Sequence, residues 1–272
     1  MGMPLELPMQ DGQYAASGGS ADGVQGGAAD LAAKIVAKLA ARENLAMPAY
    51  SEAIVQRLVD AVQTENTALI EALKPDLRRA RISPAMLADV YIPEAARRLG
   101  KAWEDDIVTF ADVTIGTVRL QSILRDISAG WGADTRKKTS MTGSVLLLLP
   151  EKEHHTLGPL VVTGQLRRRG VSVCLQLATS DGEWKSMLRK RHFDGVVVSV
   201  GWEGKLAAAA ELVKTVKHLT KGKMPVAVGG AVLTRTDVIP ACEGADIVTN
   251  DLDKALYILG LSANAPCAVE SA

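Results

Sequence analysis

The feature that most constrains the fold is a series of five short apolar segments that begins near Gly143 and alternates with longer segments of helical spacing. Such alternation predicts a parallel sheet with helices on both faces. The predicted strands are 144–149, 171–177, 195–200, 226–228 and 246–248. The predicted helices are 158–169, 182–191, 206–219, one that starts near residue 234, and 252–259.

The composition of the strands predicts their order. The first and third are continuous apolar runs, which is typical of central strands buried on both faces, whereas the second alternates apolar and polar residues and suits an edge. Five strands with the second at an edge fit the flavodoxin-like, Rossmann-type order 2-1-3-4-5. Ligands of such sheets bind beyond the carboxyl ends of the strands, where the order reverses. We therefore expect a ligand crevice between the ends of the first and third strands.

Residues 29–130 predict a different unit, a helical bundle. The first helix is expected over 29–44, and Ser51 begins a second one whose apolar residues recur at helical spacing. A third helix is expected over 66–77, interrupted near Pro75.

The later helices of the bundle carry clearer end signals. Ser83 and Pro84 form an N-cap followed by a proline at the first helical position, and that helix is expected to end at Gly100. Thr109 or Asp112 opens the last helix. The predicted organisation is a disordered arm over 1–28, the helical cap bundle over 29–130, a linker over 131–142, the α/β domain over 143–260 and a disordered tail over 261–272.

The charge balance and cysteine content exclude several functional classes. Basic and acidic residues balance at 31 each, so direct binding to DNA or to an anionic membrane is not expected. Three widely spaced cysteines form no metal-binding spacing and suggest a reducing compartment. No apolar stretch is long enough to span a membrane, and no secretion signal is recognisable, so we expect a cytoplasmic protein.

The loop after the first strand, PEKEHHTLGP, places two histidines and two glutamates at the predicted crevice. The run Ser199-Val200-Gly201-Trp202 lies at the end of the third strand, and glycines follow the fourth. Glycines there let a bulky ligand approach the backbone, and an imidazole with a carboxylate partner can bind a metal. Neither a dinucleotide fingerprint nor a Walker A motif is present. The third strand ends in Ser199 rather than the carboxylate that a receiver-type phosphorylation site needs.

These loop residues resemble a known signature. The run Glu153-x-His155-x-x-Gly158, followed by Ser199 and by Gly229-Gly230, is similar to the Asp-x-His-x-x-Gly, Ser-x-Leu and Gly-Gly motifs of cobalamin (vitamin B12)-binding domains, in which a helical cap commonly precedes the sheet. The stretch HTLGPLVVTGQLRRRGVSV resembles the AerR/PpaA group more closely. Members of that group are cytoplasmic B12-binding antirepressors of photosynthesis genes that act on a DNA-bound repressor of the CrtJ/PpsR type.

The resemblance implies a role for each matching residue. His155 would be the lower axial ligand of cobalt, Glu153 its hydrogen-bonding partner, and Ser199 the partner of the cofactor's displaced benzimidazole. Gly158 would leave room for the nucleotide tail, and the glycine pair would line its slot, with Asn250 nearby. The predicted cofactor-binding residues are Trp103, Glu153, His155, Thr156, Leu157, Gly158, Ser199, Val200, Gly201, Gly229, Gly230 and Thr249, with His155 as the metal ligand.

The sequence departs from the family pattern at three places. Glu153 replaces the family's Asp, Gly201 replaces the Leu of Ser-x-Leu, and the Trp-x9-Glu-His of photoreceptor relatives is absent, because Trp103 counts forward to Val113 and Thr114. No histidine precedes His154, so the upper face of the cofactor is expected to carry water or hydroxide, an alkyl group, or a ligand from elsewhere, His154 included. His192 and His218 are interpreted as structural.

The main functional hypothesis is a light-responsive transcriptional antirepressor, not an enzyme, that binds hydroxocobalamin or adenosylcobalamin through cobalt. It would bind a CrtJ/PpsR-type repressor, touch DNA only indirectly, and possess no catalytic residues. Self-association into a homo-oligomer stays open. The alternatives are a corrinoid shuttle protein of a methyltransferase system and a haem-binding sensor on the same fold.

Overall fold

The computed structural model describes residues 50–64, 68–135, 143–177, 181–234 and 242–262, and these belong to one compact unit. The predicted arm over 1–28, the predicted helix over 29–44 and almost the whole predicted tail lie outside the described residues. None of the helices within the described ranges is long and apolar enough to cross a membrane.

The N-terminal part of the described chain is a helical bundle. Its helices are α1 (Glu52–Gln63), α2 (Ala68–Arg79), α3 (Pro84–Met86), α4 (Ile92–Glu104) and α5 (Phe110–Thr135), and a π-helical turn (Leu87–Tyr91) joins α3 to α4. The predicted N-cap is confirmed, because the Ser83 hydroxyl accepts a hydrogen bond from the Met86 amide at 3.1 Å. Thr109 and Asp112 hold the start of α5 by bonding each other's backbone N–H groups, at 2.9 and 3.2 Å.

Two expected helix breaks, at Pro75 and at Gly100, were wrong. Helix α2 continues through Pro75 and α4 through Gly100 to Glu104, and α5 extends to Thr135, into the predicted linker. A glycine inside a helix costs only about 1 kcal/mol, and packing on a bundle core outweighs that. The chain turns instead at Asp106, whose φ is +56°. The division into domains at these residues stays a prediction.

The C-terminal part is a five-stranded parallel sheet. Its strands are β1 (Gly143–Leu148), β2 (Val171–Gln176), β3 (Gly195–Ser199), β4 (Val226–Gly229) and β5 (Ile247–Val248). The order is β2-β1-β3-β4-β5, all neighbours are parallel, and the predicted flavodoxin-like arrangement is thereby confirmed. The connecting helices are α6 (Leu157–Arg168), α7 (Asp181–Lys190), α8 (Leu206–Leu219) and α9 (Leu252–Ile258). Short 3-10 turns, Glu203–Lys205 and Ala231–Thr234, follow β3 and β4.

Helix α6 belongs to two hydrophobic cores. Its Leu157 and Val161 pack into the core of the helical bundle, whereas Leu166 packs between the sheet and α9. At the end of the helix, the Arg168 guanidinium pairs with Asp89 in the π-helical turn. Because α6 begins directly after the histidine loop, the element that covers β1 also fixes the bundle to the sheet.

Candidate functional site

The candidate site lies at the carboxyl ends of β1 and β3, where the strand order reverses. The chain leaves β1 in a tight turn, in which the Pro150 carbonyl accepts a hydrogen bond from the Glu153 amide at 3.1 Å and Lys152 adopts a φ of +58°. This turn sends the Glu153 side chain inward, between the ends of the two strands. The Lys205 ammonium donates to the Glu151 carbonyl at 3.0 Å and thereby connects the β3 loop to the β1 loop.

Glu153 is a buried carboxylate with three nitrogen neighbours, two of them backbone N–H donors. One oxygen accepts from the His155 amide at 2.9 Å and lies 2.6 Å from His155 Nδ1, and the other accepts from the Gly201 amide at 2.9 Å. Burial works to raise the pKa of the Glu153 carboxyl, but these hydrogen bonds outweigh it and hold the pKa below its usual range. The additional methylene of glutamate therefore keeps the contact to the imidazole and also reaches the β3 loop.

His155 presents its imidazole outward from this anchor. Its side chain is 62% exposed, while that of Glu153 is fully buried. With Nδ1 turned to the carboxylate, Nε2 is directed away from it, and within the described part of the chain Nε2 has no hydrogen-bond partner. His154 is exposed as well, but no carboxylate holds it among those residues. The dyad is therefore specific to His155.

A single oriented imidazole, that of His155, suits a metal ion that is already bound in a macrocycle. No group of three or more His, Cys, Asp or Glu side chains in the described ranges could hold a metal ion by itself. One oriented imidazole supplies a single axial ligand, which suits a corrinoid or a haem, whose ring provides the equatorial ligands. A Cβ on Gly158 would meet nothing within 4 Å, so the space beside the imidazole is open.

Gly229, the last residue of β4, and Gly230 pack closely against the backbone that follows β3 and β5. Gly230 has a φ of +124°, and a Cβ there would lie 2.3 Å from the Val200 carbonyl oxygen. A Cβ on Gly229 would lie 2.7 Å from the Thr249 carbonyl oxygen. The Asn250 carboxamide brackets Gly230, accepting from its amide at 2.7 Å and donating to its carbonyl at 3.1 Å. Only glycine permits this approach of three strand ends.

The structure brings most of the predicted residues to the crevice and buries three of them, Glu153, Leu157 and Val200. Glu153, His155 and Gly201 lie in contact, and Gly230 packs against the Val200 backbone. Ser199 stands opposite Gly229 in the β3–β4 register. Val200 is fully buried and Leu157 nearly so, each in a hydrophobic core. Their side chains therefore support the site from beneath.

Trp103 lies on the bundle, away from this contact set. It is 48% exposed and packs edge-to-face on Phe110, with ring centroids 6.1 Å apart. Phe110, Thr114 and Gln121 follow one another at helical spacing along α5, and Gln121 donates to the Thr156 hydroxyl at 2.9 Å, next to His155. The edge of α5 that reaches the histidine loop thus begins at Phe110, which contacts Trp103 near the end of α4.

The sequence interpretation missed Gln121, Phe110 and Lys205. A polar Gln121 next to the buried Leu120 in α5 was a usable signal for a contact outside the bundle core. The exposed Phe110, one of two phenylalanines, was another. Nothing in the sequence marks Lys205 apart from other surface lysines.

A curated relative decides the family. The chain is 40% identical over 183 residues to a 20.5 kDa protein from the bchF-crtJ intergenic region of Rhodobacter capsulatus, across 67% of this chain and 95% of the relative. The chain belongs to this AerR/PpaA-type family. No protein-family model matches it.

One solved structure shows the same fold as this AerR/PpaA-type chain. The Methanosarcina barkeri monomethylamine corrinoid protein superposes with a TM-score of 0.62 at 15% identity, over 78% of this chain and all of that one. A cobalamin-binding protein from Desulfitobacterium hafniense also matches, at 14% identity over 76% of this chain and 97% of that one, with a TM-score of 0.38. The first of these supports the predicted arrangement of a helical cap followed by a Rossmann-like domain.

Proposed function

We propose that this AerR/PpaA-type protein is a cytoplasmic, cobalamin-binding regulator without enzymatic activity of its own, which responds to light and acts on a DNA-binding repressor of the CrtJ/PpsR type. The observation that carries the cobalamin assignment is the His155–Glu153 dyad, with its imidazole exposed at the switch point of the sheet. The fold shared with a corrinoid protein and the relative from the crtJ region support the same assignment.

The residues around the dyad have distinct roles in this proposal. His155 Nε2 would contact cobalt from below, and Glu153 would keep Nδ1 protonated, so that Nε2 stays available as a ligand. Ser199 and the glycine pair would line the slot for the nucleotide tail. Bound cobalamin would supply a cobalt-bound alkyl group, water or hydroxide, which light could remove or which another ligand could replace.

Trp103, near the end of α4, and Phe110, at the start of α5, would cover the bound cofactor from the side of the bundle. At the position where photoreceptor relatives carry a histidine this chain has Thr114, whose hydroxyl donates to the Phe110 carbonyl at 2.8 Å. The described part of the cap contains no histidine. The cobalt ligand on the side of the bundle would therefore be water, hydroxide or an alkyl group. Hydroxocobalamin and adenosylcobalamin are the corresponding forms of the cofactor.

Helix α6 would carry a change at the cofactor to the surface of the bundle. It starts at the histidine loop, inserts Leu157 and Val161 into the bundle core, and ends at the Asp89–Arg168 pair. A shift of the loop would alter how the bundle packs, and a repressor that binds one packing better would respond to it.

The decisive experiment uses the protein loaded with hydroxocobalamin, a CrtJ/PpsR-type repressor and its operator DNA. We expect the loaded protein to lower operator occupancy by the repressor, with an occupancy that differs between dark and light when adenosylcobalamin is used. His155→Ala should abolish the effect and His154→Ala should retain it. Unchanged occupancy with corrin-loaded protein would refute the antirepressor role. Methyl transfer through the bound corrinoid would favour a shuttle protein, and a Soret band without corrin absorption a haem sensor.

A further inference from the structure

We propose that Gly201 is a positioning residue for His155, and that Glu153 joins the two into one preformed unit. The carboxylate of Glu153 is shared between the loops, with one oxygen on the histidine and the other on the Gly201 amide. The loops that follow β1 and β3 are thus held together by a single buried side chain, between two residues 48 apart in sequence.

The missing side chain at position 201 is part of the same arrangement. A Cβ built on Gly201 would lie 2.6 Å from His155 Cβ and 2.7 Å from both Cγ and Nδ1. Contacts that short do not occur, so any other residue would push the imidazole off the β3 loop and away from the carboxylate. The φ of Gly201 is not in the left-handed region, so the requirement for glycine comes from the ring alone.

Glutamate at position 153 and glycine at position 201 therefore depend on each other. The carboxylate must span from the imidazole to the Gly201 amide, and the imidazole must rest on a bare Cα to stay within reach of the carboxylate. This unit fixes both the tautomer and the direction of the ring before any ligand arrives, which lowers the ordering cost of binding. The significance for cobalt rests on the proposed function; the positioning itself does not.

The first test needs no cofactor. Nitrogen NMR of histidine-labelled protein at pH 8 reports which imidazole nitrogen carries the proton, and His155→Ala assigns the signals. We expect wild-type His155 to be protonated at Nδ1 and Gly201→Ala to lose that preference. Gly182→Ala is the matched control, because a Cβ at Gly182 meets nothing within 4 Å. An unchanged Nδ1-protonated signal in Gly201→Ala would overturn the proposal.

A second variant keeps the test decisive if Gly201→Ala does not fold. In Glu153→Gln, the Gly201 amide should exchange with solvent at least tenfold faster and its proton shift should move upfield, because the charged acceptor is lost. Lys205→Ala, which removes the other tie between the same loops, should leave that amide within twofold of wild type. Equal exchange in Glu153→Gln and wild type would contradict the shared carboxylate.

Hydroxocobalamin titration then connects the unit to the proposed function. We expect Gly201→Ala to bind at least tenfold more weakly than wild type and Gly182→Ala to bind within twofold. A Gly201→Ala protein that loses the Nδ1 proton but binds like wild type would overturn the positioning role. If wild type binds no corrinoid, the proposed function fails while the NMR result still decides whether the unit exists.

Discussion

The ion pair between Asp89 and Arg168 should hold the helical bundle on the sheet with a measurable free energy. It joins the π-helical turn to the end of α6, and its side chains are only 28% and 20% exposed. A hydrogen bond to a charged group contributes about 1.5–3 kcal/mol, and the remaining exposure lowers that value, so we expect Asp89→Ala to cost about 2 kcal/mol. With a urea m-value of about 2 kcal/mol/M, the unfolding midpoint would fall by about 1 M.

A double-mutant cycle separates the pair from the other contacts of each residue. Urea unfolding of Asp89→Ala, Arg168→Ala and the double variant, followed by circular dichroism, should give a coupling energy of about 1–2 kcal/mol. Wild type should unfold in one transition, because α6 packs into both cores. A coupling energy below about 0.3 kcal/mol would refute the reasoning that this pair fastens the two parts, as would two separate transitions in wild type.

Three further predictions concern the stability of the sheet and the proposed cofactor site. Burial raises the pKa of Asp246, but hydrogen bonds from Lys217 and the backbone outweigh it and lower the pKa. That stabilisation exists above the unfolded value and is lost as the pH falls through the folded one. In urea titrations, Asp246→Asn should therefore cost about 1 kcal/mol near pH 7, and this cost should begin to shrink only below about pH 4 and vanish once the pH is below the lowered folded pKa. An equal cost at pH 7 and at strongly acidic pH would contradict this. Gly230→Ala should cost at least about 2 kcal/mol of unfolding free energy, because its Cβ would strike Val200; a neutral effect would show that the strand ends can part. Trp103→Ala should cost under about 1 kcal/mol of stability but release bound corrin during gel filtration, and full retention would remove Trp103 from the upper face.

The sheet was predictable because its strands differ in how they are buried. The continuous apolar runs of β1 and β3 and the alternating β2 determine which strand lies at the edge, and the strand order followed. Helix ends were less predictable. Pro75 and Gly100 favour breaks by their local preferences, yet packing on the bundle core carries both helices through them. Tertiary burial, which a local pattern does not contain, decided these positions.

The candidate site was predictable in its residues but not in its geometry. Spacing singled out His155 and Glu153, and the strand order placed them at the crevice. That the glutamate would also bind the Gly201 amide depends on where the β3 loop comes to rest, which the sequence does not encode locally. The contact of Gln121 with Thr156 was missed for the same reason, because α5 and the histidine loop meet only in three dimensions.

The replacement of the family's aspartate by Glu153 is the departure that the structure explains best. The longer side chain keeps the imidazole contact at 2.6 Å and adds a hydrogen bond across the crevice. The substitution therefore does not loosen the dyad. We expect Glu153→Asp to lose the Gly201 contact first and to bind hydroxocobalamin more weakly than wild type.

We propose that His155 Nε2 is the axial ligand of a bound corrinoid. Electron paramagnetic resonance of the reduced Co(II) form in protein labelled with ¹⁵N-histidine tests it most directly. An axial ¹⁴N ligand splits each cobalt line into three and a ¹⁵N ligand into two. We predict that the cobalt lines are doublets in labelled wild type and in labelled His154→Ala, and that this splitting is lost in His155→Ala. Triplets in the labelled wild-type protein, or doublets that survive His155→Ala, would contradict it.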